Sequence, residues 1–324
     1  MRVAILGCGS IGGRHARNVV SLGHDDVQVY DLDATRARTL AAELSVTAAT
    51  TLDDLWAWRP TVAIIATPSF QHVPLAREAA QRGCDLFVEK PLGNTIDGIA
   101  ELLTEARARR LVTLVGCNMR FHPGPAAVKR LLDERAIGDV LAARLQTGSY
   151  LPSWRPGQDY RRGYSVSEEQ GGGAILDCIH EIDLALWYFG RATLSAAIVR
   201  RATSLELDVD GLAELLLEHS NGVVSSVHLN FVQRDYRRGC QIIGSTGTIY
   251  WDFTEESVIV RRGDASDTLP GPAGWELNQM YVDEMTHFMT CVSSRCATIA
   301  PLEDGLAALE IALAARARTI PVSA

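Results

Sequence analysis

Several signatures that would assign this chain to a functional class are missing. Its seven cysteines, at 8, 84, 117, 178, 240, 291 and 296, form no CxxC pair and no regular spacing. A zinc ribbon or disulfide framework is therefore not expected, and a reduced, cytoplasmic protein is the simplest account. There is no excess of positive charge: 31 Lys and Arg face 39 Asp and Glu, a net charge of −8. That argues against nucleic acid or an anionic membrane as the main partner. The arginine clusters 107–110 and 316–318 read as solvated helix ends. No apolar run approaches the length of a membrane span, and Met1-Arg-Val-Ala-Ile-Leu6 reads as a first strand rather than a signal peptide. No internal repeat is present, and Trp251-Asp252 occurs once, so a propeller is not indicated. His180-Glu181 opens like H-E-x-x-H, but position 184 is Leu and the other histidines lack ligand spacing. No metal is expected.

What is present fits two domains, each large enough for its own core. Strand patterns near 2–6, 27–30, 61–66, 85–88 and 112–116 alternate with helical spacing over 10–22, 36–44, 74–82 and 97–110. Asn94 and Thr95 are candidate caps for the helix after Pro91. This alternation predicts a doubly wound parallel sheet, a Rossmann-like α/β domain over 1–121. The pattern changes after Pro123. A strand over 137–148 is followed by a loop over 149–172 rich in Tyr, Trp, Pro, Arg and Gly, then a helix over 174–189. Strand patterns follow at 194–202, 211–219, 223–231, 239–244, 248–253 and 257–261. Asn221-Gly222 marks a hairpin and Gly244-Ser-Thr-Gly247 a second tight turn. Helices over 275–293 and 303–318 close the chain. The second domain, 122–324, is thus expected to be α+β with a mostly antiparallel open sheet, and the last helix is a candidate to pack back on the first.

The chemistry concentrates in a few segments. Gly7-Cys-Gly9-Ser10-Ile11-Gly12 follows a strand and opens a helix, the arrangement in which backbone amides cradle a dinucleotide diphosphate. Val27-Gln-Val-Tyr-Asp31 ends the next strand in an acid about 20 residues on, as the fingerprint requires. A carboxylate there accepts bonds from ribose hydroxyls and repels a 2′-phosphate. Leu32 follows, and Arg36 and Arg38 are the nearest arginines, so NAD is favoured over NADP. Glu89-Lys90-Pro91 ends a later strand, and a lysine at that edge sits where a nicotinamide ring would lie. Lys90 is a candidate to bind the developing alkoxide, and a histidine such as His180 to take the hydroxyl proton.

Three segments resemble the Gfo/Idh/MocA oxidoreductases, the family of glucose–fructose oxidoreductase and myo-inositol dehydrogenase. They are the fingerprint with Ala66-Thr-Pro-Ser-Phe-Gln-His72, the Glu89-Lys-Pro91 motif, and Gly171-Gly-Gly-Ala-Ile-Leu-Asp-Cys-Ile-His-Glu-Ile-Asp183. The resemblance implies hydride transfer between a secondary alcohol of a sugar, polyol or sugar derivative and the nicotinamide. It makes Lys90, His180 and Asp177 catalytic, places Thr67, Pro68, His72 and Glu89 along the cofactor, and puts Asn118 and Arg120 near nicotinamide and substrate. Trp154-Arg155 matches a pair that closes over the cofactor, and Lys90-Pro91 matches a cis bond. Many members space acid and histidine four apart, whereas Asp177 and His180 are three apart. On one helix both pairs, Asp177 with His180 and His180 with Asp183, share a face in part, while the two acids lie about 120° apart. The loop 150–164, with Tyr160, Arg161 and Arg162, is the expected specificity element. Alternatives are a reductase of an imine or conjugated ring, or a non-catalytic NAD sensor, which would not need Lys90, Asp177 and His180 together. The second sheet is expected to leave one face uncovered, and the resemblance implies that this face pairs with another subunit in a homodimer or homotetramer.

Overall fold

Val3, Ala4, Ile5 and Leu6 are all completely buried, as a strand covered by helices on both faces requires. They form β1 (Val3–Leu6) in a computed structural model that describes residues 1–154, 157 and 159–318, with the Arg162 side chain excepted. The chain divides into two units: Met1–Asn118 with Leu277–Leu306, and Met119–Glu276 with the chain from Ala307 on.

In the first unit β1 is flanked by β2 (Val27–Tyr30) and β4 (Val62–Ile65), both parallel to it. With β3 (Thr47–Ala48), β5 (Asp85–Val88) and β6 (Thr113–Val115) they make an all-parallel sheet of order β3-β2-β1-β4-β5-β6. This is the dinucleotide-binding order, whose chain reversal falls between β1 and β4 at their carboxyl ends. Around it lie α1 (Ser10–Ser21), α2 (Ala34–Leu44), α3 (Leu52–Ala57), α4 (His72–Gln81) and α5 (Ile99–Arg109). β3, of two residues, and the one-and-a-half-turn α3 are too short to carry a period and were not anticipated. Gly98, in the left-handed region, stands at the α5 N-cap with no side-chain bond, in place of Asn94 or Thr95. The first unit is completed from the far end of the chain. Phe288 of α9 (Gln279–Ser294) meets Phe87 edge-on at 5.6 Å, and the Val115 amide donates to the Ala300 carbonyl at 2.8 Å.

The second unit is built on eight strands, β14-β13-β12-β11-β7-β10-β9-β8. They are β7 (Val140–Tyr150), β8 (Ala192–Arg201), β9 (Asp210–His219), β10 (Val224–Asn230), β11 (Val232–Gly244), β12 (Thr248–Asp252), β13 (Ser257–Arg262) and β14 (Ala265–Pro270). Only β7 and β10 pair in parallel. In β9, buried Ala213, Leu215 and Leu217 alternate with exposed Glu214, Leu216 and Glu218, the period-two pattern of a sheet covered on one face. Asn221-Gly222 turns β9 into β10, with Gly222 at φ 87°. Besides α6 (Pro123–Asp133), two helices stand where one continuous helix was expected: α7 (Ala174–Asp177) and α8 (His180–Phe189). The chain closes with α10 (Leu302–Arg316), which begins in the first unit and belongs to the second from Ala307. Among the described residues no helix is long and apolar enough to cross a membrane.

Candidate cofactor and catalytic site

The fingerprint turn is shaped by backbone crowding. Gly7 has φ 95°, and a Cβ on it would come within 2.5 Å of the Ala66 carbonyl oxygen. A Cβ on Gly12 would fall onto the Gly7 carbonyl, whereas one on Gly9 would project into open space. Gly7 and Gly12 therefore need glycine for packing, and Gly9 leaves room for a ligand against the backbone. No side chain caps α1, so the amides of Ser10, Ile11 and Gly12 at its start have no intrahelical acceptor. These are the donors a diphosphate requires. Beside them a cleft of about 790 Å³ is lined by Gly9, Ser10, Arg14, Asp33, Thr35 and Arg36, among others.

Asp31 does more than its place at the end of β2 suggests. One carboxylate oxygen accepts the Cys8 amide at 2.7 Å and the other the Asp33 amide at 2.8 Å. Arg36, five residues on, brings its guanidinium to 3.3 Å from the same carboxylate. An arginine thus stands beside the carboxylate expected to choose between the two cofactors.

At the ends of β4, β5 and β6 three segments meet. Thr67 Oγ1 and Asn118 Oδ1 are buried without a hydrogen-bond partner, so the dinucleotide's polar groups would satisfy atoms that the fold leaves unsatisfied. His72 is turned into the fold, its ring nitrogens each 2.8 Å from a carbonyl oxygen, of Pro91 and of Thr67. Burial holds its pKa below the ordinary value despite those carbonyls and the Glu89 charge. His72 thereby clamps the Thr67-Pro68 turn to the segment after Lys90, and the Lys90–Pro91 peptide is cis.

Glu89 is buried beneath Gly116, where a Cβ would come within 3.0 Å of its carboxylate. His15 Nε2 lies 2.6 Å from Glu89 Oε1, and Oε2 accepts the Lys90 amide at 3.0 Å. Burial alone would raise the Glu89 pKa; the bond from His15 and the charges of His15, Lys90 and His72 reverse this and hold it low. The backbone of half-buried Lys90 is thus anchored by a carboxylate that is itself anchored by a histidine of α1. Sequence reasoning missed His15. It lies three residues past the fingerprint, on the helix face toward the sheet, but its partner is 74 positions away.

In the second unit Asp177 and His180 are both buried. They do not share a helix: α7 ends at Asp177, Cys178 leaves helical geometry at ψ 29°, and α8 begins at His180. The i, i+3 relation expected for them therefore does not apply. The break follows from separate anchors. Asp210 of β9 accepts the Ile175 amide at 2.8 Å at the start of α7. Meanwhile α8 is held by two arginines. Arg120 binds both oxygens of Asp183, at 2.5 and 3.0 Å, and Arg238 binds both of Glu181, at 2.7 and 3.2 Å. Arg120 and Asp183 are each 1% exposed at their side chains. Asp183 is thus committed to Arg120, and Asp177 accepts the Tyr164 hydroxyl at 2.8 Å. Tyr160 turns its hydroxyl to the Leu205 carbonyl at 3.2 Å. Trp154 donates from its indole to Ser149 at 2.6 Å and meets Phe231 edge-on, while Arg155 lies outside the described residues. Among the described residues no group of three or more His, Cys, Asp or Glu side chains is arranged to hold a metal ion.

Comparison with known proteins agrees with this division. Residues 1–117 match the model of the GFO/IDH/MocA oxidoreductase family's NAD-binding Rossmann fold, and 126–250 match the GFO/IDH/MocA C-terminal domain. An inositol 2-dehydrogenase of Gluconacetobacter diazotrophicus is 30% identical over 257 residues, covering 76% of this chain and 72% of that protein. The scyllo-inositol 2-dehydrogenase (NAD(+)) of Bacillus subtilis is 26% identical, covering 97% of this chain and 93% of its own. Among solved structures, a levoglucosan dehydrogenase in complex with NADH superposes with a TM-score of 0.88 at 20% identity, over 98% of this chain and 97% of that one, which shows the shared fold.

Proposed function

The chain belongs to the Gfo/Idh/MocA family of oxidoreductases, and we propose that it is an NAD-dependent dehydrogenase that oxidises a secondary alcohol of a cyclic polyol or sugar. NAD supplies the hydride acceptor when bound. Residues 1–121 would hold it: the Ser10 and Ile11 amides on the diphosphate, Gly9 giving close approach, Asp31 on the adenosine ribose, and Thr67, Pro68 and Asn118 along the chain of the dinucleotide. Residues 122–324 would supply the substrate side.

On the protein side, His180 takes the substrate hydroxyl proton, the role for which an imidazole near neutrality is suited. Lys90 donates to the same oxygen as negative charge develops on it. Asp177, oriented by Tyr164, supports the histidine. Arg120 and Arg238 neutralise Asp183 and Glu181, so the two flanking carboxylates of α8 do not add net charge beside His180. The substrate class follows the names of the relatives, which act on inositols. The exposed apolar side chains Ile198, Leu216 and Val224 on the outward face of the second sheet further support a homo-oligomer paired through that face.

The single observation that carries the catalytic reading is the chain His15–Glu89–Lys90, which fixes the lysine at the edge of the sheet that also bears the fingerprint. A panel of inositols, pyranoses and anhydrosugars followed by NADH absorbance tests it. The expected result is turnover with at least one cyclic polyol. His180→Ala should lower kcat by about 10²–10⁴, and Lys90→Ala should be at least as damaging while NAD still binds. A loss under threefold in the chemical step for either variant removes that residue from its role.

A further inference from the structure

The C-terminus of α9 ends in a cap that brings two cysteines together. Arg295 takes the left-handed conformation at φ 56°, and the Cys296 amide donates back to the Cys291 carbonyl at 3.1 Å. In such a cap the side chains one residue past the left-handed position and five residues before it pack against one another, a contact ordinarily filled by two apolar groups. Here both are cysteines, and their sulfurs lie 3.1 Å apart. Both are free thiols; Cys291 is buried and Cys296 is exposed. A further donor, the Ser294 hydroxyl, lies 3.3 Å from Cys296 Sγ.

We infer that Cys291 and Cys296 are an oxidation site, in which Cys296 is attacked first by a peroxide and Cys291 then closes a disulfide. The Cys296 thiolate attacks one oxygen of the peroxide; the O–O bond breaks, hydroxide leaves, and Cys296 becomes a sulfenic acid. The Cys291 sulfur then attacks the Cys296 sulfur, the S–O bond breaks, and water leaves with the Cys291 proton. Two thiols are oxidised by two electrons to one disulfide, and one peroxide is reduced to water.

Each cysteine suits its part. The hydrogen bond from Ser294, and then the contact with Cys291, hold the Cys296 thiol below its ordinary pKa, which raises its thiolate fraction. Burial first, with the Cys296 charge added, pushes Cys291 up to about 12, so it does not compete for the oxidant. Access is provided by an open groove of about 300 Å³ lined by Arg107, Arg110, Arg295 and Cys296. The bond would also tether the segment after α9 to the helix. That segment donates from Thr298 to the Thr113 carbonyl at 2.6 Å and accepts from Val115 at Ala300, next to the strand that leads into Asn118.

The test treats reduced, full-length protein with hydrogen peroxide and follows intact mass and mapped peptides. The expected result is loss of two hydrogen atoms, a Cys291–Cys296 linked peptide, and reversal by dithiothreitol. Cys296→Ser should show no such loss, and Cys291→Ser should yield a dimedone adduct at Cys296. In unoxidised protein Cys296 should be alkylated about tenfold or more faster than any of the six buried cysteines. NAD binding and melting temperature of both variants confirm that they fold. No mass loss, a disulfide that maps elsewhere, the same loss in Cys296→Ser, or no adduct in Cys291→Ser would each overturn the assignment.

Discussion

At residue 31 the structure adds a neighbour that changes what a substitution should do. Asp31 holds the Cys8 amide and draws Arg36 to 3.3 Å. Removing its carboxylate therefore deletes a repulsive charge and releases a guanidinium in one step. Asp31→Ser should raise the NADP/NAD ratio of kcat/KM about tenfold or more, equivalent to ~1.4 kcal/mol. Steady-state kinetics with both cofactors measures it, and an unchanged ratio rejects Asp31 as the selector. Lys90 also gains meaning from its surroundings. It is one of only two lysines in a chain that otherwise uses arginine for positive charge. Lysine, unlike arginine, can change its protonation when desolvated, which suits the role proposed for Lys90 at a substrate hydroxyl.

Among the elements, the split between α7 and α8 and the cap of α6 were settled by contacts far away in sequence. The expected helix over 174–189 has continuous apolar spacing, and nothing local marks a break at Cys178. The break exists because Asp210 anchors one half while Arg120 and Arg238 anchor the other. α6 was not anticipated at all, although Pro123 at its first position is a start signal. Its N-cap is His122, whose Nδ1 accepts the Gly124 amide at 3.1 Å among Trp251, Phe253 and Trp275. Burial, then the Arg238 charge, pushes the His122 pKa down to about 4. The unfolded value is about 6.5, so between the two the unfolded chain binds more protons. This contribution to stability is complete above pH ~6.5 and is lost as pH falls toward ~4. Denaturant midpoints should fall between pH 7 and pH 5, and His122→Asn, which keeps a capping side chain, should flatten that slope. His72, His219 and His287 act in the same sense, so part of the slope should remain. An unaltered slope in the variant would assign the acid sensitivity entirely to those groups.

For the molecule as a whole, the second sheet raises the question of partners. Its inward face is the core of its unit, while its outward face exposes Ile198, Leu216 and Val224 on neighbouring strands. Light scattering at micromolar concentration should give a dimer or tetramer, and Leu216→Glu should shift it toward monomer. A wild-type monomer would sink the reading. That a sheet of this kind was coming could be read from the alternation in 211–219 and the Asn221-Gly222 turn. Its extent could not. β14 (Ala265–Pro270) is polar and exposed, so it carries no apolar period, and pairing with β13 makes it a strand; the first half of β11 is likewise polar, and its register against β7 shifts between Val232 and Arg237.

By itself the sequence determined whatever rests on short-range pattern. Buried parallel strands appear as apolar runs, the fingerprint as three glycines and an acid about 20 residues on, and the lysine as the end of a strand. These suffice for the parallel domain, the choice of NAD and the family. Tertiary structure decided what depends on partners distant in the chain. It set His15 under Glu89, Arg36 against Asp31, Arg120 on Asp183, and the segment Leu277–Leu306 in the first unit. The reason is physical. Periodicity reports which face of an element is buried, whereas a buried charge must find a specific partner, and that partner is chosen only when the chain has folded.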